Sequence, residues 1–587
     1  MKKIFGFLAL ATIILLIGYQ YLMKDFKQTK SLIFQNGVIY TLENDAPKAQ
    51  AVLVEDGYIK AVGSNDEVLS LKTPKTEIID LEGKTMFPGF IDPHTHMALS
   101  SFLHPMVDLS GFKHRTPEQV WNHLRESVKN FEKGAWIVCK GLDPILVEGL
   151  DAPKIDMLDE MVPDNPLIIL SQSLHTYWGN TMAFSRVGID KDTPDPSQSS
   201  YYERTPQGEL TGLIAEQLAF APFAQAILGA VDSKTLINAA VDVMKAYAKR
   251  GNTTLVTTGI SVNDSKPLRL YKHLSAEKPE IVNQALSKLG MLPKRAPLPR
   301  HFIYIRHDRL HLMPESPQNG DDFYRVLGVK HWYDGSPYTG SMYLSQPYLM
   351  SELSREGLHI KEGYAGEPLV EHNELVNWIT THQQAGWQVL VHTQGDLAIN
   401  EVLEAFEAVE NAGNEIAAFR HRLEHCLLMD SLGIVKAKAL NVNPSFHINH
   451  LYYYGKALKN DLIGEKLAEK MLPLRSALDA GMTISLHADQ PMFESHPFSL
   501  IRTAVERKTK EGELLGEREV ITLDEAIRSL TIDAAWQIKM EDKLGSIKTG
   551  KFADLIILDH DPYSIPVTEL DKIEVLATYI HGNQVAY

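Results

Sequence analysis

Several segments with the composition of β-strands end in residues that can take part in a metal site. Phe90-Ile91-Asp92-Pro93 leads into His94 and His96, and two residues two positions apart on a strand point to the same face. Both imidazoles can therefore reach one ion. Later strand-like segments end in further residues of this kind, namely Lys330, His392, His425 and Asp489. Each follows a separate strand, so their coincidence indicates a shared metal site more strongly than any one of them.

Bulk composition limits the classes of function. A chain of 587 residues is too long for one compact core, so we expect a large domain and one or more smaller ones. The formal net charge of -16 argues against a nucleic-acid partner, because such partners require a basic face. Only two cysteines occur, Cys139 and Cys426, and they match neither a disulfide framework nor a cysteine-based zinc motif.

Both ends of the chain have the pattern of short β-strands. In residues 31–87, apolar segments flank Asn36-Gly37 and Asp56-Gly57, two dipeptides typical of hairpins. Residues 545–587 contain further strand-like segments and a turn at Gly582-Asn583. Since chain termini commonly lie close together, we predict one small composite β-sandwich domain built from these two regions.

Residues 88–544 alternate strands with helices. The predicted strands after the first are 253–257, 302–305, 326–329, 389–391, 422–424 and 482–486, and predicted helices include 375–385, 398–409 and 467–480. This alternation predicts an α/β fold, a (β/α)8 TIM barrel, in which active sites lie at the C-terminal ends of the strands. Residues from about 104 to 233 do not fit the repeat and predict a large insertion after the first barrel strand. A doubly wound open sheet would give the same alternation.

A series of motifs extends from about Leu32 to the end of the chain. They are Pro88-Gly89-Phe90-Ile91-Asp92-Pro93-His94-Thr95-His96, Gly328-Val329-Lys330 with Asp334-Gly335-Ser336, His392 with Gly395-Asp396-Leu397-Ala398-Ile399, Arg420-His421-Arg422-Leu423-Glu424-His425, Pro444 with His447, Ala488-Asp489-Gln490-Pro491, Gly545-Ser546-Ile547, and Gly550-Lys551-Phe552-Ala553-Asp554-Leu555. Together they resemble the amidohydrolase superfamily, in its amidohydrolase-3 branch of N-substituted formamide deformylase-like, metal-dependent hydrolases.

The resemblance implies a site for one or two divalent ions. His94 and His96 would hold the first ion, and His392 and His425 the second. Lys330 would be carboxylated and bridge both, whereas an ordinary ion-paired lysine there would leave a single ion. Nitrogen and oxygen ligands suit zinc and other divalent first-row ions.

The resemblance also implies a reaction. Asp489 would bind metal and act as general base toward a water that the metal activates to hydroxide. The hydroxide would cleave a non-peptide C–N bond in a small-molecule amide, N-formyl compound or cyclic amide. His447 would stabilise an oxyanion or bind substrate. His175 would face the active site, although Leu174 precedes it where the family usually has an acidic residue. His487, where the family often has Gly or Ser, either contacts substrate or forms a hydrogen bond in the core.

Other functions remain open at this point. A mononuclear deaminase acting on an amino-heterocycle would use His94, His96, one later histidine and Asp489, and would not need Lys330. The same hydroxide would also cleave esters or lactones. A catalytically silent, membrane-tethered binding protein would keep the fold, but the retained base argues against it. The sequence does not indicate an oligomeric state.

The first 30 residues predict a membrane anchor or signal segment. Met1-Lys2-Lys3 precedes an apolar run from Ile4 to Tyr19, which at about 1.5 Å per residue nearly crosses a bilayer core of about 30 Å. The run ends in Gly18-Tyr19-Gln20-Tyr21 rather than in the small residues of a cleavage site. We therefore expect an uncleaved anchor with the catalytic domain outside the cytoplasm, or a secreted or periplasmic protein if the segment is cleaved. Lysines lie on both sides of the run, so their count does not set the orientation.

Overall fold

The computed structural model describes residues 16, 18–20, 22–23, 25, 28–197, 200–260 and 262–587. Most of the apolar run that predicts the membrane anchor lies outside these residues, so the anchor stays a prediction from the sequence. Within the described residues, no helix is both long enough and apolar enough to span a bilayer.

Eight parallel strands form a nearly closed barrel in chain order. The barrel strands are β1 (Phe90–Thr95), β2 (Asn252–Ile260), β3 (Arg300–Arg306), β4 (Tyr324–Trp332), β5 (Gln388–Thr393), β6 (Arg422–His425), β7 (Asn443–His447) and β8 (Ser485–His487). A parallel bridge between Thr95 and Gln490 joins β1 to the segment after β8. The barrel prediction is confirmed, because in an open doubly wound sheet the strand order would reverse and the edges would stay apart.

Helices connect the barrel strands and cover them with apolar side chains. From β2 onward the α-helices are Lys266–Ser275, Ile281–Lys288, His372–Gln384, Asp396–Asn411, Ser431–Leu440, Asn449–Ala457, Glu465–Ala468, Leu474–Asp479, Pro497–Glu506, Leu523–Ser529 and Ile532–Gln537. Helix Asp396–Asn411 buries Ile399, Leu403 and Phe406, whose spacing of three and four positions forms one face. They share a core with Val389 and Val391 of β5, which fixes the strand that carries His392.

In the second half of the barrel, one predicted helix needs correction and one strand was not predicted. The helix predicted over residues 467–480 is interrupted between Ala468 and Leu474, where Leu472 has a φ of 52° and Pro473 follows it. Proline lacks an amide donor and disfavours helical backbone in the residue before it, so one continuous helix cannot form. Strand β7 was not predicted, and it contains Asn443-Pro444, a dipeptide that is more typical of turns.

Two further sheets are built from the ends of the chain. One contains Tyr58–Gly63, Ala51–Glu55, Ser31–Gln35 and Glu77–Asp80, and the other contains Asn583–Gln584, Val575–Ile580, Leu555–Leu558, Thr85–Pro88, Val38–Tyr40 and Lys48–Ala49, each in spatial order. Phe34 of the first sheet and Tyr579 of the second belong to one apolar cluster, and their ring centroids lie 5.0 Å apart. Antiparallel pairing of Leu555–Leu558 with Thr85–Pro88 joins the two ends directly before β1.

The predicted hairpin at Asn36-Gly37 is wrong. Ser31–Gln35 and Val38–Tyr40 belong to different sheets, so the chain crosses from one sheet to the other there. Asn36 has a φ of 57°, which is the turn conformation that the dipeptide favours. A local turn does not choose the partner of a strand, and Ser31–Gln35 pairs with Ala51–Glu55 instead.

Between β1 and β2 the chain forms a separate six-stranded sheet. Its strands are Tyr202–Arg204, Leu210–Ala215, Thr176–Gly179, Leu167–Ser171, Ile137–Leu142 and Val107–Asp108 in spatial order. Helices Pro117–Val128 and Glu216–Ala230 belong to the same segment, and helix Ser233–Lys249 leads into β2. The Gln172 side-chain amide donates to the carbonyl of Met492, and the Tyr454 hydroxyl donates to Asp143 at 2.6 Å. This sheet therefore contacts the segments that follow β7 and β8.

A buried ion pair connects the barrel to the C-terminal part of the chain, and its removal should destabilise the fold. Nε and Nη2 of Arg300 lie 2.7 and 3.0 Å from the carboxylate oxygens of Asp554. Asp554→Ala leaves a buried charge unpaired, so we expect the free energy of unfolding to fall by about 3–5 kcal/mol, measured as a shift in the urea midpoint. Glu126→Ala, which breaks an exposed pair with Lys129, is the control and should change the value by at most about 1 kcal/mol. Equal effects of the two substitutions would contradict this prediction.

Candidate metal centre

Three predicted ligands meet where the first and last barrel strands end. One ligand atom each of His94, His96 and Asp489 lies within 4.8 Å of the other two. Nε2 of His96 is 2.9 Å from Oδ1 of Asp489, and Nε2 of His94 is 3.3 Å from the same oxygen. Asp489 follows β8 with a φ of 57°, a conformation that ends the strand at this point. The arrangement offers two imidazoles and one carboxylate to a single ion.

Glu424 of β6 orients His94. Nδ1 of His94 contacts Oε2 of Glu424 at 2.5 Å, and Nη2 of Arg422 donates to that oxygen at 2.9 Å. All three side chains are buried. A carboxylate that holds Nδ1–H fixes both the tautomer and the ring orientation, which leaves Nε2 with its lone pair for a metal ion. Sequence reasoning did not assign this role to Glu424, although its position directly before His425 at a strand end is a usable signal.

His392 of β5 has the same kind of partner. Its Nδ1 lies 3.2 Å from Oδ1 of Asp334. Asp334 also accepts hydrogen bonds from the backbone amides of Gln394 and Gly395, at 3.0 and 2.9 Å. The ring centroid of His392 lies 4.4 Å from that of His425. The structure thus brings these two predicted ligands together and holds one of them through a carboxylate that the sequence analysis had not assigned.

Lys330 lies on β4 with its amine buried. Nζ has no hydrogen-bond partner among the described residues. Burial lowers the pKa of Lys330 to about 8, although the charges of Glu424 and Asp489 act in the opposite direction. The lower pKa increases the neutral fraction of the amine near neutral pH, and carboxylation of a lysine requires the neutral amine.

The protonation states at the first ligand group also suit a cation. Burial acts to raise the pKa of Asp489, but His94 and His96 outweigh it and hold this pKa well below its usual range. Burial, together with the nearby Lys330, lowers the pKa of His94 well below its usual value. The carboxylate is therefore ionised and the His94 imidazole neutral at neutral pH, which are the forms that bind metal.

His447 and His487 lie inside the barrel beside the predicted ligands. Their ring centroids are 4.9 Å apart, and the ring of His487 stacks on that of His94 at 4.4 Å. Burial lowers the pKa of His447 to about 4, so its ring is neutral. The remaining predicted site histidine, His175, lies directly before strand Thr176–Gly179 of the inserted sheet, and its Nδ1 is 2.9 Å from Glu216.

His175 is not hydrogen-bonded to any predicted ligand within the described part of the chain. Its backbone amide donates to the hydroxyl of Ser173 at 3.4 Å, and its ring is about one-third exposed (35%). Its acidic partner, Glu216, comes from a different segment of the insertion rather than from the preceding position, which is Leu174.

Buried polar atoms without partners provide a test of whether an ion fits here. Among the described residues, Nζ of Lys330, Nδ1 of His425 and both ring nitrogens of His487 are buried and make no hydrogen bond. Leaving such an atom unsatisfied costs about 1–3 kcal/mol. The imidazole nitrogens among these atoms, next to an ionised carboxylate, match the preferences of zinc and similar divalent ions.

Comparisons with known proteins identify the family of the chain. The chain is 28% identical over 575 residues to N-substituted formamide deformylase of Arthrobacter pascens, covering 94% of this chain and 98% of that protein. It is 27% identical to the protein YtcJ of Bacillus subtilis, covering 94% and 99% of the two chains. An uncharacterized metal-dependent hydrolase from Pyrococcus horikoshii has a similar fold, with a TM-score of 0.70 at 21% identity and coverage of 92% of this chain and 99% of that one. Residues 77–586 match the amidohydrolase family, and because this match spans most of the chain, the protein belongs to that family of metal-dependent hydrolases.

Proposed function

We propose that the protein hydrolyses a non-peptide C–N bond in a small molecule, such as an amide, an N-formyl compound or a cyclic amide. The observation that carries this proposal is the convergence of His94, His96 and Asp489 at the C-terminal ends of β1 and β8, the face on which barrel enzymes have their active sites. The similarity to N-substituted formamide deformylase along nearly the whole chain supports the type of bond.

Two sets of side chains would hold divalent ions, with zinc as the ion that best suits their donors. His94, His96 and Asp489 form the first set. His392 and His425, with a carboxylated Lys330 as a shared ligand, form the second. Bound ions of this kind polarise a carbonyl group and lower the pKa of water toward about 7.

Asp489 would move the proton of the reaction. Its Oδ1 accepts a proton from the attacking water, and the same carboxyl group then donates that proton to the leaving nitrogen, so that the C–N bond breaks and a neutral amine leaves. The low pKa keeps Asp489 ionised and ready to accept the proton. His447 would donate a hydrogen bond to the carbonyl oxygen as negative charge develops on it. His175 and His487 would contact other parts of the substrate.

The location and domain division of the protein are part of the proposal. Residues 1–30 would anchor it to a membrane with the catalytic domain outside the cytoplasm, which the apolar run of residues 4–19 supports. Residues 31–87 with 545–587 would form the composite β-sandwich domain, and residues 88–544 the catalytic barrel with its insertion at about 104–233.

Removing the first ligand pair should remove one metal ion per chain and most of the turnover. For the full-length double variant His94→Ala, His96→Ala, we expect loss of one ion per chain and a fall in kcat/KM of about 10³-fold or more, because the ion contributes several kcal/mol to the barrier. Metal analysis and a panel of formamides, amides and cyclic amides measure the two effects. Lys129→Ala, at an exposed position, is the control. Metal content and activity like those of the wild type in the double variant would refute the proposed function.

Glu424→Gln should weaken metal binding without removing a ligand. Glutamine keeps the shape of the side chain but no longer holds Nδ1–H of His94 with a charged oxygen. We expect a loss of metal affinity of about 10- to 100-fold, measured by competition with a chromophoric chelator. Glu126→Gln, an exposed glutamate, is the matched control and should leave the affinity unchanged. An unchanged affinity in Glu424→Gln would show that His94 does not depend on this partner.

Lys330→Ala separates a binuclear from a mononuclear site. The proposed function predicts about two ions per wild-type chain and fewer in the variant, because a carboxylated Lys330 supplies a ligand to both ions. Metal content is measured on matched preparations, with ¹³CO₂ labelling to detect the carbamate by NMR. One ion per chain, unaffected by the substitution, would instead favour mononuclear deaminase chemistry.

A further inference from the structure

Three histidines on neighbouring strands converge beside the proposed metal sites. One ring nitrogen each of His425, His447 and His487 lies within 4.8 Å of the other two. The ring centroid of His425 lies 5.5 Å from that of His447 and 5.1 Å from that of His487. All three side chains are buried. The three residues lie at the ends of β6, β7 and β8, which are three consecutive strands of the barrel.

Strand register explains why two of these rings face each other. His447 of β7 pairs directly with His487 of β8, and directly paired residues on adjacent strands lie on the same face. Two positions earlier on each strand, Ser445 and Ser485 also face each other, with their hydroxyl oxygens 2.8 Å apart. His425 has a φ of 74°, which departs from strand geometry.

No hydrogen bond accounts for the burial of the ring nitrogens of His487. Both of them, and Nδ1 of His425, lack a hydrogen-bond partner among the described residues. Each buried polar atom without a hydrogen bond costs about 1–3 kcal/mol. The convergence of several such nitrogens in one place therefore needs an explanation. Converging imidazole nitrogens are the donor set of zinc, copper and nickel sites.

We propose that His425, His447 and His487 form a three-imidazole site for a divalent cation, separate from the group His94, His96 and Asp489. The cation is one that prefers nitrogen ligands, of the class of Zn²⁺, Cu²⁺ or Ni²⁺. An ion bound there would take the place of the direct contacts that the proposed function assigns to His447 and His487 with the substrate. His425 is common to this site and to the pair with His392, so the second ion has two alternative positions in this chain.

Metal titration of His487→Ser in the full-length protein tests the site. Metal-free wild type and variant are titrated with Zn²⁺, and the number of equivalents and their affinities are compared. We expect the variant to lose one equivalent, or to bind it more than about 100-fold more weakly, since loss of an outer partner alone costs about 10- to 100-fold. His560→Ser, the same substitution at an exposed histidine outside the cluster, should bind as the wild type does. Unchanged binding in His487→Ser, with loss of the second ion in Lys330→Ala, would overturn the proposal.

A measurement on the wild type keeps the test independent of how the variant folds. Cu²⁺ bound to three imidazoles shows electron paramagnetic resonance coupling to three nitrogens, whereas the other two groups offer two histidines each. Coupling to three nitrogens at a bound Cu²⁺ ion supports the site, and coupling to two or fewer nitrogens at every bound ion rules it out. Neither experiment needs turnover, so failure to find hydrolysis of C–N bonds would leave this test intact.

Discussion

The backbone amide of His96 donates a hydrogen bond to the carbonyl of Gln490 at 2.8 Å, and Thr95 forms a parallel bridge with the same residue. These contacts close the barrel at the point where His94, His96 and Asp489 meet. Residues from the first and last strands are adjacent only because the sheet curves through a full turn. Closure and assembly of the candidate metal centre are therefore one structural event, and an open sheet of the same strands would separate its ligands.

Charged groups inside the barrel determine what the ligands can do. Arg422 and Glu424 are both fully buried (0% exposed), and a buried charge is tolerated only where partners replace water. Glu424 uses its other contact to hold His94, and Asp334 holds His392 in the same way. These carboxylates hold the histidine rings in fixed orientations for binding a metal ion. Burying the charges destabilises the fold, and the surrounding apolar clusters must compensate for that loss.

The sequence was sufficient for the barrel, and the predicted ligands lie together in the structure, because each ligand follows a short apolar strand with its own local signal. Contacts between residues far apart in the chain could not be predicted from the sequence. The contact between His94 and Glu424 joins residues 330 positions apart, and the local hydrophobic pattern of the sequence contains no signal for such a contact. Local signals also failed where tertiary pairing decides: Asn36-Gly37 formed its turn but not its hairpin, and Asn443-Pro444 lies in a barrel strand although it resembles a turn. Pro444 is the second residue of β7, close to the start of the strand, where proline disturbs the pairing of the sheet least.

The sheet that combines both ends of the chain has a consequence for biosynthesis. The hydroxyl of Tyr40 donates to the carboxylate of Asp561 at 2.9 Å, between residues 521 positions apart, and Thr85–Pro88 pairs with Leu555–Leu558. At a translation rate of about 5–20 residues per second, the second strand of this pair leaves the ribosome roughly 20–90 s after the first. During that interval the strand edge next to β1 lacks its native partner, so a nascent chain must keep this edge from pairing elsewhere. Synthesis has to pass residue 558 before the scaffold directly preceding His94 can be completed.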